Sequence, residues 1–302
     1  MNSKIPVVST ILEFDNLVNQ FPGFNICPYL AYKDADAWER STSRVYMNQV
    51  LDNFLYIPVN IAKNNEELLI DFINRVKDDL QVVGINITQP HKSNPIVSEI
   101  LLNNIKRVNY DALLRDEIGK LQPFDLNGPS FIDWYLDEVG DFIDKTIVLI
   151  GVGGVGEPLA KAFAQQKPAR LLLIDINDKS SFADELNSIT PTYYADSVGK
   201  IEEEIDDKFI LINAAGKEGS GNDSAQRLID DFSGRNNVFV DLRPHLEIDI
   251  VEYAKNMGWL AYTGHGMNAR NDYTLLQNIS KIIGETDVIS FVGFQKLVAE
   301  AS

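Results

Sequence analysis

Apolar positions along the first half of the chain follow two different periods. Between Asn64 and Val76, the residues Leu68, Leu69, Phe72, Ile73 and Val76 return every three or four positions, which predicts a helix buried along one stripe. On either side, Phe54–Val59 and Val82–Ile87 are short apolar runs that read as strands, with Pro58 pointing to a sheet edge or a strand end. Strand, helix and strand across 54–87 predict a βαβ unit with a parallel pair. Ile5–Ile11 reads as a first strand, and Phe21–Pro28 reads as a loop because of its Pro and Gly. Ser43–Leu51 and Ile96–Leu102 read as helices, and Val108–Leu113 as another strand. Asn127-Gly-Pro-Ser130 has turn composition, and Phe131–Val139 follows as a helix.

The second half changes rhythm. Thr146–Ile150, Leu171–Ile174, Phe209–Ile212, Val238–Val240 and Leu260–Tyr262 are uncharged runs of the kind buried on both faces of a parallel sheet. Helical stretches at 159–164 and 181–186 lie between the early ones, and 273–283 forms a C-terminal helix with Tyr273, Leu275, Leu276, Ile279 and Ile283 on its apolar side. The expected fold is α/β. An N-terminal domain with a mostly parallel sheet spans 1–130, and a doubly wound, Rossmann-type domain spans 131–267.

The first of those runs feeds directly into Gly151-Val-Gly153-Gly154-Val155-Gly156 and then a helix. In that context the three glycines of Gly-x-Gly-x-x-Gly serve, in turn, a tight bend, close approach of backbone to a pyrophosphate, and close packing of helix on sheet. Freed helix amides would face the phosphates. Asp175 closes the next strand, where a carboxylate accepts hydrogen bonds from an adenosine ribose and repels a 2′-phosphate. No Arg follows in Ile176-Asn-Asp178, so NAD is expected in preference to NADP. Asn213-Ala-Ala-Gly216 and Gly264 end later strands with small residues suited to passing close to the dinucleotide.

Composition narrows the partners. A formal net charge of -17 over 302 residues disfavours nucleic acid and anionic membranes. No run of 18 apolar residues and no signal-like leader is seen, so the cytoplasm is the expected location. Cys27 is the single cysteine and reads as an inert thiol. His91, His245 and His265 have no metal-ligand spacing, so no metal is expected. The acidic run 201–207 reads as a solvated face, and the apolar stretch 288–294 permits a homodimer.

Reacting groups must then come from the first domain. The densest polar cluster there is Gly84-Ile-Asn86-Ile-Thr88-Gln-Pro-His-Lys92, at the carboxyl end of an apolar strand, where open α/β sheets bind ligands. Lys92 could move a proton to or from a substrate oxygen as hydride is exchanged. Gly84-x-Asn86-Ile-Thr88-x-Pro90-x-Lys92 resembles the signature of the shikimate dehydrogenase family. Ser41-Thr-Ser43 resembles that family's substrate-carboxylate motif, with Arg44 in place of its proline, and Val108-Asn109-Tyr110 its Val-Asn-Thr segment. Asn213-Ala-Ala and Gly264-His-Gly266-Met267 resemble its Asn-Ala-Thr and Gly-Leu-Gly-Met.

The resemblance implies a hydride exchange between NAD(P) and a ring hydroxyl of a small hydroxylated cyclic carboxylic acid such as shikimate or quinate. By it, residues 1–130 form the substrate domain, which the C-terminal helices 268–302 rejoin, residues 131–267 form the dinucleotide-binding domain, and Lys92 is the catalytic lysine. Ser41 and Ser43 hold the carboxylate, Asn86, Thr88 and Asn109 fix the hydroxyls, and the family's late glutamine falls on Asn271. One departure stands out. The family's Asn-Thr-Asp-Gly, whose aspartate partners the lysine, is here Asp125-Leu126-Asn127-Gly128. An amide at Asn127 can orient a hydroxyl but carries no charge. Three arrangements are open: Lys92 acts alone, Asp125 reaches in, or turnover is lost and the chain is a nucleotide- or metabolite-binding regulatory protein. Arg44 and Tyr110, expected to line the same pocket, suggest a changed substrate.

Overall fold

The computed structural model describes residues 5–31, 47–88, 91–102, 110–216, 221–242, 249–286 and 288–300. The chain forms two compact units, Met1–Leu126 with Ala269–Ser302, and Asn127–Asn268.

The first unit is built on a five-stranded sheet of β1 (Asn25–Ala31), β2 (Phe54–Asn60), β3 (Gly84–Ile87), β4 (Ala112–Arg115) and β5 (Leu121–Phe124), in the order β2-β1-β3-β4-β5. β1 runs parallel to β2 and β3, and β4 alone is reversed, antiparallel to both β3 and β5. The sheet is thus mixed: the short turn between β4 and β5 can only return the chain antiparallel. Residues alternate between two cores. Leu55, Ile57 and Val59 of β2 face one apolar cluster with Leu69, Phe72, Ile73 and Val76 of α2 (Glu66–Lys77) and Val97 of α3 (Pro95–Leu102). Phe54 and Tyr56 face the other, with Leu275, Leu276 and Ile279 of α9 (His265–Ile283) and Phe294 of α10 (Phe291–Glu300). Period-two alternation with apolar residues at both phases is what a sheet covered on both faces requires. Phe294 is fully buried there, so much of the apolar 288–294 stretch goes into the unit's own core, while Val292 stays 60% exposed.

Two local readings change. The expected first strand is reduced to one bridge, Val8 with Val59, and α1 (Ile11–Val18) follows. Thr10 and Glu13 form a reciprocal capping box, with Thr10 Oγ1 accepting from the Glu13 amide at 3.2 Å and Glu13 Oε2 from the Thr10 amide at 3.1 Å. The expected loop at 21–28 instead runs into β1, because the apolar residues around Pro28 gain more from burial than the proline loses in pairing. Pro58 does lie on an edge strand. Val8 N donates to its carbonyl at 2.9 Å from the open side, where no ladder needs the missing proline donor.

The second unit holds a six-stranded, all-parallel sheet in the order β11-β10-β9-β6-β7-β8. Its strands are β6 (Thr146–Ile150), β7 (Arg170–Ile174), β8 (Thr192–Ala195), β9 (Phe209–Asn213), β10 (Val238–Asp241) and β11 (Leu260–Thr263). α4 (Asn127–Glu138), α5 (Gly156–Gln165) and α6 (Ser180–Asn187) pack on one face, and α7 (Gly221–Asp231) and α8 (Asp249–Asn256) on the other. This is the doubly wound order, reversing direction between β6 and β9. Asn127-Gly-Pro-Ser130, read as a turn, is the first turn of α4, where a proline's absent N–H costs nothing. β8, α7 and α8 were not legible as elements. β8 is four residues long at an edge, and α7 is strongly polar on its outer side.

Candidate functional site

In the first unit, β3 delivers its polar cluster through a tight turn. Thr88 N donates to Leu30 O at 3.0 Å, and the Thr88 carbonyl accepts from His91 N at 2.9 Å and Lys92 N at 3.0 Å. This turn carries the Lys92 side chain into the protein, where the residue is 4% exposed. The carboxylate that meets it is Asp111: Lys92 Nζ and Asp111 Oδ1 form a hydrogen-bonded ion pair. Asp111 is itself 8% exposed, and its Oδ2 accepts from the Leu126 backbone N–H at 3.0 Å. Its main chain is held on both sides. Asp111 N donates to Phe124 O at 3.0 Å, and Ile87 N donates to Asp111 O at 2.8 Å.

Asp111 was not singled out in the sequence. The available signal was a carboxylate set between Tyr110 and Ala-Leu-Leu114, because a charge inside an apolar strand is rarely left without a partner. Asn86 is buried, and its Nδ2 donates to Tyr56 Oη at 2.6 Å, while the Tyr56 and Tyr29 rings lie 5.9 Å apart. Thr88 and Asn271 are half-buried, the latter on α9. Tyr110 packs into the apolar core, and its hydroxyl lies 3.3 Å from Ser98 Oγ, so it is a core residue rather than a pocket wall. Ser41, Ser43, Arg44 and Asn109 lie outside the described residues.

Two neighbours are inert. Burial pushes the Cys27 thiol up to about 12, so it stays protonated. His91 is fully buried, and its Nε2–H donates to the Ile61 carbonyl at 2.8 Å. Burial lowers its pKa, only partly opposed by that hydrogen bond. Its Nδ1 has no hydrogen-bond partner among the described residues, as expected of a neutral ring.

In the second unit, the glycine turn follows β6 at the point where strand order reverses. Gly151 has φ +88°, and a Cβ there would lie 2.5 Å from Ala215 Cα. A Cβ on Gly156 would overlap the Gly151 carbonyl. The fold itself requires both glycines. Gly153 differs: it has no positive φ, and a Cβ there would meet nothing within 4 Å. Among the described residues no packing contact requires a glycine at that position, and its bare backbone leaves room for the close approach of a ligand. Gly154 and Val155 complete the turn, and Val155, the N-cap of α5, gives the helix no side-chain cap. First-turn amides without a side-chain cap suit a pyrophosphate. Asn213, at the end of β9 opposite Ile150, is fully buried with Nδ2 unpartnered among the described residues, a second donor without an internal use. These features fit a dinucleotide.

Asp175 ends β7, and both its oxygens are engaged. Oδ2 accepts from Val152 N at 2.6 Å, and Oδ1 from Asn177 N at 2.8 Å and Asn177 Nδ2 at 3.1 Å. Gly264 is buried at the end of β11, its N–H donating to Asp241 O at 2.8 Å. Asn127 is buried at the start of α4. No cluster of His, Cys, Asp and Glu capable of holding a metal occurs among the described residues, and none of their helices is long and apolar enough to cross a membrane.

No protein-family model matches the chain. The chain is 29% identical over 123 residues to the shikimate dehydrogenase (NADP(+)) of Caldicellulosiruptor saccharolyticus, a match covering 39% of this chain and 44% of that protein. It is 26% identical over 157 residues to the shikimate dehydrogenase (NADP(+)) of Methanococcus maripaludis, covering 48% and 52%. These matches thus span about half the length of the relatives. Its fold is similar to that of the shikimate 5-dehydrogenase of Listeria monocytogenes, solved with shikimate and NAD, with TM-score 0.69, 14% identity and coverage of 92% and 97%. It is also similar to quinate dehydrogenase of Corynebacterium glutamicum, solved with NAD, with TM-score 0.66, 14% identity and coverage of 92% and 99%.

Proposed function

We propose that the chain is an NAD-preferring oxidoreductase that exchanges hydride between the nicotinamide and a ring hydroxyl of a shikimate- or quinate-like hydroxy acid. The observation that carries this reading is Lys92, buried at the carboxyl end of β3 with a carboxylate on its amine. A charged pair kept in an apolar interior costs desolvation that an aliphatic pair would not, so it points to chemistry rather than stability. The reading assigns substrate to residues 1–130 with 268–302, and the dinucleotide to 131–267. Ser41 and Ser43 hold the substrate carboxylate, and Asn86, Thr88, Asn109, Asn127 and Asn271 orient its hydroxyls. Lys92 gives a proton to the substrate oxygen on reduction and takes one back on oxidation. Gly151, Gly153, Gly154, Val155, Gly156, Asn213 and Gly264 cradle the cofactor, and Asp175 favours a ribose 2′-OH over a 2′-phosphate. The bound nicotinamide supplies or accepts the hydride.

A second reading is favoured by Asn127, where the resembling family carries an aspartate: a nucleotide- or metabolite-binding regulatory protein without turnover. One assay separates the two. Purified protein is given NAD or NADP with shikimate, quinate and amino analogues, and reduced cofactor is followed by absorbance. Turnover that vanishes in Lys92→Ala supports the dehydrogenase. Saturable binding with no turnover across the panel supports the second reading.

A further inference from the structure

Lys92 has a carboxylate partner, but on a different element from the one the family pattern names. Asp111 precedes β4, whereas the position that would carry the charge, at the start of α4, holds the amide Asn127. Three features fix Asp111. Its main chain is hydrogen-bonded to Ile87 on one side and Phe124 on the other. Its Oδ2 is bound by the Leu126 amide, which leaves Oδ1 turned to Lys92 Nζ. Both charged groups are nearly excluded from water, so each would be strongly penalised without the other. A lysine amine on a four-carbon stem has many rotamers, and a carboxylate locked in this way selects one of them.

We propose that Asp111 is the positioning residue of Lys92, so that negative charge and substrate orientation, combined in one aspartate in the family pattern, are divided here between the carboxylate just before β4 and the Asn127 amide. The proposal rests on the dehydrogenase reading for its kinetic consequences and on the ion pair alone for its structural ones. It predicts that the charge can be moved back. In Asp111→Asn, a carboxylate restored by Asn127→Asp takes over part of the lost function, which a purely structural role for Asp111 would not allow.

The test compares wild type, Asp111→Asn, Lys92→Met, Asp111→Asn with Lys92→Met, and Asp111→Asn with Asn127→Asp, using the full chain. For the best substrate pair of the panel, Asp111→Asn is expected to lower kcat about 100-fold, with substrate KM within about threefold. Adding Asn127→Asp should recover about tenfold of that loss. In urea unfolding, Asp111→Asn alone should have a lower midpoint than the double variant with Lys92→Met, because the single change strands a buried ammonium. Failure of Asp111→Asn to fold while that double variant folds gives the same support. A kcat within about twofold of wild type for Asp111→Asn, or additive effects in the urea cycle, overturns the proposal. Absence of turnover in wild type would instead remove the dehydrogenase reading, and the urea cycle would then decide the pairing.

Discussion

The Val152 amide donates to Asp175 Oδ2 at 2.6 Å, so the carboxylate expected to meet the cofactor ribose is also a strut of the glycine turn. Replacing it therefore disturbs two things at once. Asp175→Ser should weaken NAD binding about tenfold or more and still not create an NADP site, because the turn loses its anchor. Fluorescence titration of both nucleotides checks this. NADP binding tighter than NAD in the variant would mean that Asp175 acts only through charge.

The glycines of that turn differ: packing requires Gly156, and Gly153 is the one proposed to face the cofactor. Gly153→Ala should melt at the wild-type temperature, since its new methyl meets nothing within 4 Å, yet bind NAD about tenfold more weakly. Gly156→Ala should cost about 2 kcal/mol or more of stability, because its methyl would overlap the Gly151 carbonyl. Thermal melting with nucleotide titration distinguishes the two. Equal destabilisation of both variants would be the contrary result.

Arg115 closes the first unit around one buried guanidinium. It donates to the carbonyls of Val82 at 2.5 Å, Gly119 at 2.5 Å, Val76 at 3.2 Å, Lys77 at 2.9 Å and Asp79 at 2.8 Å. Three of these lie at the carboxyl end of α2, where a cation also meets the negative end of the helix. Arg115→Met keeps most of the packing and removes all five donors, and should lower unfolding stability by about 3 kcal/mol in urea titration. A loss near zero would show that water takes over these carbonyls without cost.

His91 makes stability depend on acidity. Burial depresses its folded pKa below the ordinary value of 6.5, so below pH 6.5 the unfolded chain takes up a proton that the folded one refuses. Stability is therefore complete above pH 6.5 and falls as the pH drops through that value. His91→Gln keeps a donor for the Ile61 carbonyl and cannot titrate. Its stability should fall less than that of wild type between pH 7 and 5.5, by about 1 kcal/mol. Parallel pH–stability curves for the two proteins would exclude His91 as the titrating group.

Much of this molecule was readable from neighbouring residues. Thr146–Ile150, the glycines after it and Asp175 at the end of the next run declared a strand, a turn and a second strand's end, since each depends on local backbone and side-chain period. The βαβ unit across 54–87 was legible for the same reason. The readings that changed involve local rules overridden by distant ones. Pro28 looks like loop punctuation until β2 and β3 flank it, and Tyr110 looks like a pocket residue until the core closes around it.

By itself, then, the sequence determined the α/β class, the glycine turn and the placement of Lys92 after β3, because period, turn chemistry and spacing are local quantities. Tertiary structure alone decided which carboxylate Lys92 meets. Asn86 pairs with Ala112 across antiparallel strands, and this register carries Asp111 to the end of β3. A register is set by where two whole strands bury their apolar faces, so no motif around Lys92 or around Asp111 contains it.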